Sequence, residues 1–148
     1  MLSNIKITNY KSIDKLDFKL GRVNVLIGEN GAGKSNLLEA IALSGAAISE
    51  KLDSEFLTSR GIRVTSPEYM RSAFTGLNAN DPILIEATSD DGAVSFRLTN
   101  DNEPYSKWTC ETTGGRSESL DLSSFTKIFQ SFVETSKEKD SSSKKEAI

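Results

Sequence analysis

The sequence predicts an α/β fold, and three observations point to it. An apolar run, Val23, Val25, Leu26 and Ile27, leads straight into the glycine-rich octapeptide Gly28 to Ser35, GENGAGKS. Directly after it, Leu37, Leu38, Ile41 and Ile48 recur at helical spacing. Both before and after this unit, apolar and polar residues alternate with period two, as half-buried strands require.

Taken in order, LSNIKIT at 2–8 reads as a first strand, with Leu2, Ile5 and Ile7 as its imperfect apolar set. Asn9-Tyr10-Lys11-Ser12 is a polar turn. Leu16, Phe18 and Leu20 then alternate strictly with Asp17 and Lys19, giving a second strand. Gly21-Arg22 turns the chain into a third, buried strand at 23–27. A helix is expected from about 34 to about 50, with Gly45 as a weak point inside it. Residues 51–66 read mostly as loop. Ser66-Pro67 suggests the N-cap and first position of a short helix, PEYMRSAF. After the loop GLNAND (76–81) come three strand candidates, 82–87, the alternating Val94, Phe96 and Leu98, and Tyr105 to Thr112. Asp91-Gly92 signals the hairpin between the first two. Trp108 and Cys110 share one face and read as core. Leu122, Phe125, Ile128 (or Phe129) and Phe132 space a short amphipathic helix over 119–133, and the charged, Ser-rich 134–148 reads as a disordered tail or linker. The expected layout is thus one unit, 1–133, with a core at 1–50, a β meander at 82–112, and a tail.

The octapeptide fits G-x-x-x-x-G-K-[ST], the phosphate-binding P-loop, at every required position. A backbone can wrap a phosphate only where Cβ atoms are absent and φ is free, hence Gly28, Gly31 and Gly33. Successive N–H groups then form an anion nest, and the helix that follows aims its positive end at the same charge. Lys34 supplies a point charge for β- and γ-phosphates, and Ser35 a hydroxyl for Mg²⁺.

Composition narrows the chemistry. The 148 residues hold no histidine and one cysteine, Cys110, which excludes a Ser/His/Asp triad, a zinc site and an internal disulfide. No run of eighteen apolar residues occurs, and the N-terminus lacks the apolar core of a signal peptide, so a cytoplasmic setting is expected. The net charge of −3 is uneven. Residues 1–22 carry five basic and two acidic side chains, and residues 81–121 carry three and nine. A nucleic-acid face is not expected on 81–121.

Hydrolysis of a nucleotide needs more than a P-loop. An acidic residue at the end of a second buried strand normally completes the Mg²⁺ site. The nearest sequence, Ile83-Leu84-Ile85-Glu86, has three apolar residues and no Asp, and Glu86 reads as a water-facing hairpin residue. Asn78-Ala79-Asn80-Asp81 lacks the Lys of a guanine-reading motif.

IKITNYKSIDKLDFKL followed by VNVLIGENGAGKSNLLEAIAL resembles the N-terminal lobe of ABC-type ATPases of the SMC, RecF and OLD kind, a group that includes bacterial DNA-repair and anti-phage defence ATPases. The specific resemblance covers residues 1–43. It implies ATP rather than GTP. By this resemblance Gly28, Glu29, Asn30, Gly31, Ala32, Gly33, Lys34 and Ser35 match the Walker A loop, Asn36 sits beside the phosphates, and Lys11 and Ser12 match a short loop flanking the nucleotide. Gln130 lies about where the family has a Gln that senses Mg²⁺ and γ-phosphate, although by spacing alone it is a helix-surface residue. The departures are a missing Walker B Asp-Glu, a missing switch His, and Leu122-Ser123-Ser124-Phe125 where a signature segment would need Gly. In the family, ATP is sandwiched between two heads. The resemblance therefore implies an incomplete sheet and a second head, supplied by a longer chain or by a partner, with ATP hydrolysis driving DNA repair, chromosome maintenance or phage defence. Two other readings stay open: a non-hydrolysing module in which ATP stabilises association, and a different small P-loop enzyme such as a kinase or GTPase.

Overall fold

A computed structural model describes residues 1–74 and 78–114. The expected helix at 119–133, the tail at 134–148 and Gln130 lie outside the described residues. The elements are β1 (Leu2–Tyr10), β2 (Ile13–Lys19), α1 (Lys34–Ile48), α2 (Ser54–Ser59), α3 (Pro67–Met70), β3 (Ile83–Ser89), β4 (Gly92–Thr99) and β5 (Thr109–Gly114). The five strands form one wholly antiparallel sheet in the order β2-β1-β3-β4-β5.

The period-two pattern fixes which face is which, because a one-residue slip would turn every side chain over. Leu16, Ile7, Ile85 and Phe96 stand opposite one another across four strands, and Phe18, Ile5, Ala87 and Val94 form the next row. Both rows line the inner face, which joins Leu37, Ala40, Leu43 and Ala47 of α1, Leu57 of α2, Ile62 and Met70 in a single core. The outer face carries the complementary row Asp17, Lys6, Glu86 and Ser95. Lys6 Nζ meets Glu86 at 2.8 Å, and Asn4 donates to Asp17 at 2.9 Å. Opposite charges placed directly across a ladder stabilise its register by about 0.2–1 kcal/mol per pair. Glu86 is therefore occupied by an ion pair on the water-facing side.

Five expectations need correction. Residues 23–27 do not form a strand. None of the sheet's ladders includes them, and Val23, Val25 and Ile27 are 84%, 76% and 90% exposed. A P-loop strand is normally buried between parallel neighbours, and the described sheet is antiparallel and runs elsewhere. Leu38 is exposed, since the core side of α1 is set by Leu37, Ala40, Leu43 and Ala47, with Ile41 and Ile48 only half-buried. The stretch 51–66 holds a helix, α2, whose N-cap Asp53 accepts from the Phe56 amide at 2.8 Å. The helix after Pro67 stops at Met70, because Arg71 turns extended and is pulled into the interior. The last strand begins at Thr109 rather than Tyr105.

Arg71 explains how the connection from α3 to β3 is held. Its guanidinium is buried, lies over the Trp108 ring at 5.0 Å, and donates to the carbonyls of Asp81 and Asn100 and to the side chain of Asn102. Among the described residues no carboxylate bonds this guanidinium directly; burial lowers its pKa from the ordinary value, and the charge on Asp81 opposes that shift in part. Buried Asn9 complements it, accepting from the Ser72 amide and donating to the carbonyls of Asp81 and Pro82. A further bond, from the Lys11 amide to the Met70 carbonyl at 3.1 Å, ties the β1–β2 turn to the same region.

Truncating Phe96 to Ala, at the centre of the inner row, is expected to cost about 3–5 kcal/mol in urea unfolding. Leu84→Ala, on the outer face, should stay within about 1 kcal/mol. Equal losses would contradict the assignment of faces.

Candidate phosphate-binding site

Helix α1 begins at Lys34 with Gly33 as its N-cap. Gly33 has φ 82 and ψ 3, the left-handed region, and offers no side chain to cap the first turn. The amides at the start of α1 therefore stay available to an outside acceptor. Gly31, at φ 87, makes the other left-handed step. A Cβ on Gly31 would meet open space, whereas one on Gly33 would come 3.2 Å from Ser12 Oγ. The glycine at 33 is thus demanded twice, by backbone conformation and by the approach of the β1–β2 turn.

Within the loop, the Ala32 amide donates to the Glu29 carbonyl at 3.2 Å. The Lys34 ammonium folds back over its own loop and donates to the carbonyls of Gly28 and Glu29, both at 2.6 Å. Ser35 is exposed, and its hydroxyl makes no hydrogen bond among the described residues. Asn36 donates from Nδ2 to Ser12 Oγ at 2.7 Å and accepts on Oδ1 from Arg63 at 3.0 Å. A groove of about 820 Å³ opens between this loop and β2, lined by Ile13, Leu16, Phe18 and Phe74 on its apolar side and by Gly31 to Lys34 on the other.

The expected residues are therefore brought together with one difference in role. Ser12 and Asn36 bond each other beside the loop. Lys11, a neighbour in sequence, points instead to Glu39, with which it forms an ion pair, and donates to the Arg63 carbonyl at 2.8 Å. Two residues of this cluster were not anticipated. Arg63 gave no local signal, since it sits in an irregular connection whose position depends on tertiary packing. Glu39 read as one more polar residue of a helix, yet it is only 6% exposed. The Tyr10 phenol donates to Glu39 at 3.3 Å, and the phenol's own burial, followed by the charge on Glu39, raises its pKa.

The donor set fits a nucleotide polyphosphate with Mg²⁺. It offers a loop with two left-handed glycines, an uncapped helix start, one ammonium and one unpaired hydroxyl. Among the described residues no group of three or more acidic, Cys or His side chains could hold a metal ion.

A family profile described as an AAA domain matches residues 4–148. The chain belongs to the AAA-domain family. Part of it is also similar to proteins that carry the RecF name. Proteins named DNA replication and repair protein RecF from Bacillus thuringiensis (strain Al Hakam) and Bacillus cereus (strain B4264) are each 40% identical to it over 55 residues, covering 36% of this chain. A RecF protein of the same name from Bacillus anthracis (strain CDC 684 / NRRL 3495) matches to the same extent. The chain's match spans 15% of the length of these relatives. In this AAA-domain chain the glycine-rich motif ends the irregular segment 20–33 and leads into the longest described helix, α1. Among the described residues no helix is long and apolar enough to cross a membrane.

Gly33→Ala is expected to lower stability by about 1–2 kcal/mol, since a non-glycine residue pays for the left-handed step and its methyl must displace Ser12. Gly31→Ala meets only the first cost and should be the milder of the two in the same thermal or urea melt.

Proposed function

We propose that this chain binds ATP with Mg²⁺ through Gly28 to Ser35, as the Walker A half of an ATPase that works on DNA. The observation that carries the reading is the loop itself: left-handed Gly31 and Gly33 open onto an uncapped helix start, with Lys34 and Ser35 directly following. In this reading, Glu29, Asn30 and Ala32 complete the backbone nest, Lys34 leaves its loop carbonyls for the β- and γ-phosphates, and Ser35 ligates Mg²⁺. When bound, Mg²⁺ would neutralise charge on the β- and γ-phosphates. The apolar wall of the groove, with Ile13, Phe18 and Phe74, suits a base, while Ser12 and Asn36 border the phosphates. Lys11 acts from behind, by anchoring Ser12. Membership of the AAA-domain family and the likeness to RecF proteins support a role in DNA repair, and phage defence is the neighbouring possibility within the same kind of ATPase.

Hydrolysis in this proposal needs a carboxylate and a signature segment from a second head, contributed by a longer chain or by a partner chain. The bare apolar run Val23, Val25 and Ile27 supports this, because its exposed side chains leave apolar surface for a further segment or chain to cover. A second reading, ATP-stabilised association without turnover, is favoured by the absence of an acidic cluster among the described residues. A small kinase or GTPase is the weakest reading, since two strands precede the loop and no guanine-reading Lys is present.

Calorimetric titration of the chain with MgATP should give saturable binding that Lys34→Ala abolishes while circular dichroism stays unchanged. GTP should bind more weakly. Unchanged affinity in Lys34→Ala would sink the site assignment, and turnover by the chain alone would overturn the need for a second head.

A further inference from the structure

Glu39 is a buried carboxylate that receives three donors. Its Oε1 accepts from Arg63 Nε at 2.7 Å, and its Oε2 accepts from Lys11 Nζ and from Tyr10 Oη. Its two cations belong to two different segments, the β1–β2 turn and the connection between α2 and α3. Arg63 continues through Nη2 to Asn36, and Asn36 continues to Ser12. Ser12 is covalently next to Lys11, so the bonds close a circuit: Lys11, Glu39, Arg63, Asn36, Ser12. The circuit touches the P-loop at its far side, where Ser12 Oγ stands 3.2 Å from the position a Cβ would take on Gly33.

Burying a carboxylate costs several kcal/mol even after relaxation, and a helix face can be covered by an apolar residue instead. Here the charge organises two cations that are otherwise free to spread. Lys11 is held at left-handed φ 48, a conformation that a lysine does not choose unaided. Two cations against one carboxylate also leave a net positive charge beside the loop, the sign an anion requires.

We propose that Glu39 is a positioning residue of the nucleotide site, which acts through Lys11 and Arg63 to hold Ser12 and Asn36 at the mouth of the P-loop. The proposal rests on the nucleotide-binding reading above. It assigns Lys11 the task of fixing the turn, and it brings Arg63 into the site as the link between Glu39 and Asn36. Without the carboxylate the two cations repel, the turn loses its anchor, and Ser12 and Asn36 no longer share one geometry.

The experiment is calorimetric titration of the full chain with MgATP in six forms: wild type, Lys34→Ala, Glu39→Gln, Arg63→Ala, the pair Ser12→Ala/Asn36→Ala, and that pair combined with Glu39→Gln. Glu39→Gln is expected to weaken affinity about tenfold, as coupled neighbours in one network do. In the Ser12→Ala/Asn36→Ala background the same change should move affinity less than about twofold, because its route to the ligand is already cut. Arg63→Ala, on an exposed side chain that leaves Glu39 paired with Lys11, keeps the test decisive should Glu39→Gln unfold, and it should weaken binding several-fold. A purely structural role would lower the melting temperature of Glu39→Gln with affinity intact, and that result overturns the proposal. So does a tenfold loss that persists in the double background. Binding that is lost in Lys34→Ala but indifferent to Glu39 and Arg63 rejects the positioning role alone. No binding by folded wild-type chain rejects the nucleotide reading, and this proposal with it.

Discussion

The seating of α1 against the inner face of the sheet is the constraint on which the rest depends. Leu37, Ala40, Leu43 and Ala47 meet a surface built from rows of Ile, Leu, Phe and Val residues. The small residues let the helix lie close, and removal of this apolar area from water, at about 25 cal/mol per Å², is the main term that fixes it. Because the helix axis is set by packing, its N-terminal end is set too. The P-loop has little structure of its own to hold it: two left-handed glycines, one backbone bond and a lysine folded over two carbonyls. Its shape follows from where Gly33 must start the helix and from how near Ser12 stands.

Around that seat the protein uses polar groups to join segments that hydrophobic burial alone would leave loosely oriented. Arg71 and Asn9 join the connection before β3 to the ends of β1 and β4 through carbonyl and amide groups. Glu39 does the corresponding work nearer the loop with charges. Each is a buried polar group that would be costly alone and is tolerable because nearly every donor or acceptor around it is met. Such arrangements specify one geometry more sharply than apolar contact does, and the Glu39 set reaches the edge of the glycine-rich loop through Asn36 and Ser12.

The outer face of the sheet behaves differently. Its charges alternate across the ladders, Asp17 against Lys6 and Lys6 against Glu86, and so they cancel locally. Along this row the face presents no block of one charge sign.

The alternating strands, the hairpin at Asp91-Gly92 and the helix after the loop were legible from the sequence, because each follows from a local period or a local backbone demand, whereas the pairing of β1 with β3 was not. Leu16, Phe18, Val94, Phe96 and Leu98 alternate in a way that admits one inner face. GENGAGKS carries its conformational demand within eight residues, so the candidate site could be named from sequence alone. What sequence could not decide was set by non-local partners. The run at 23–27 has the composition of a buried strand, but pairing needs a neighbour, and the described sheet places none beside it. Asp53 capped a helix that composition left as loop, and the Pro67 helix ended where Arg71 was drawn into the core. Glu39 and Arg63 became parts of one circuit only through tertiary packing, which brought a turn, a helix and an irregular connection within hydrogen-bond reach. Local chemistry determined the glycine-rich loop, and burial together with charge pairing decided which side chains stand around it.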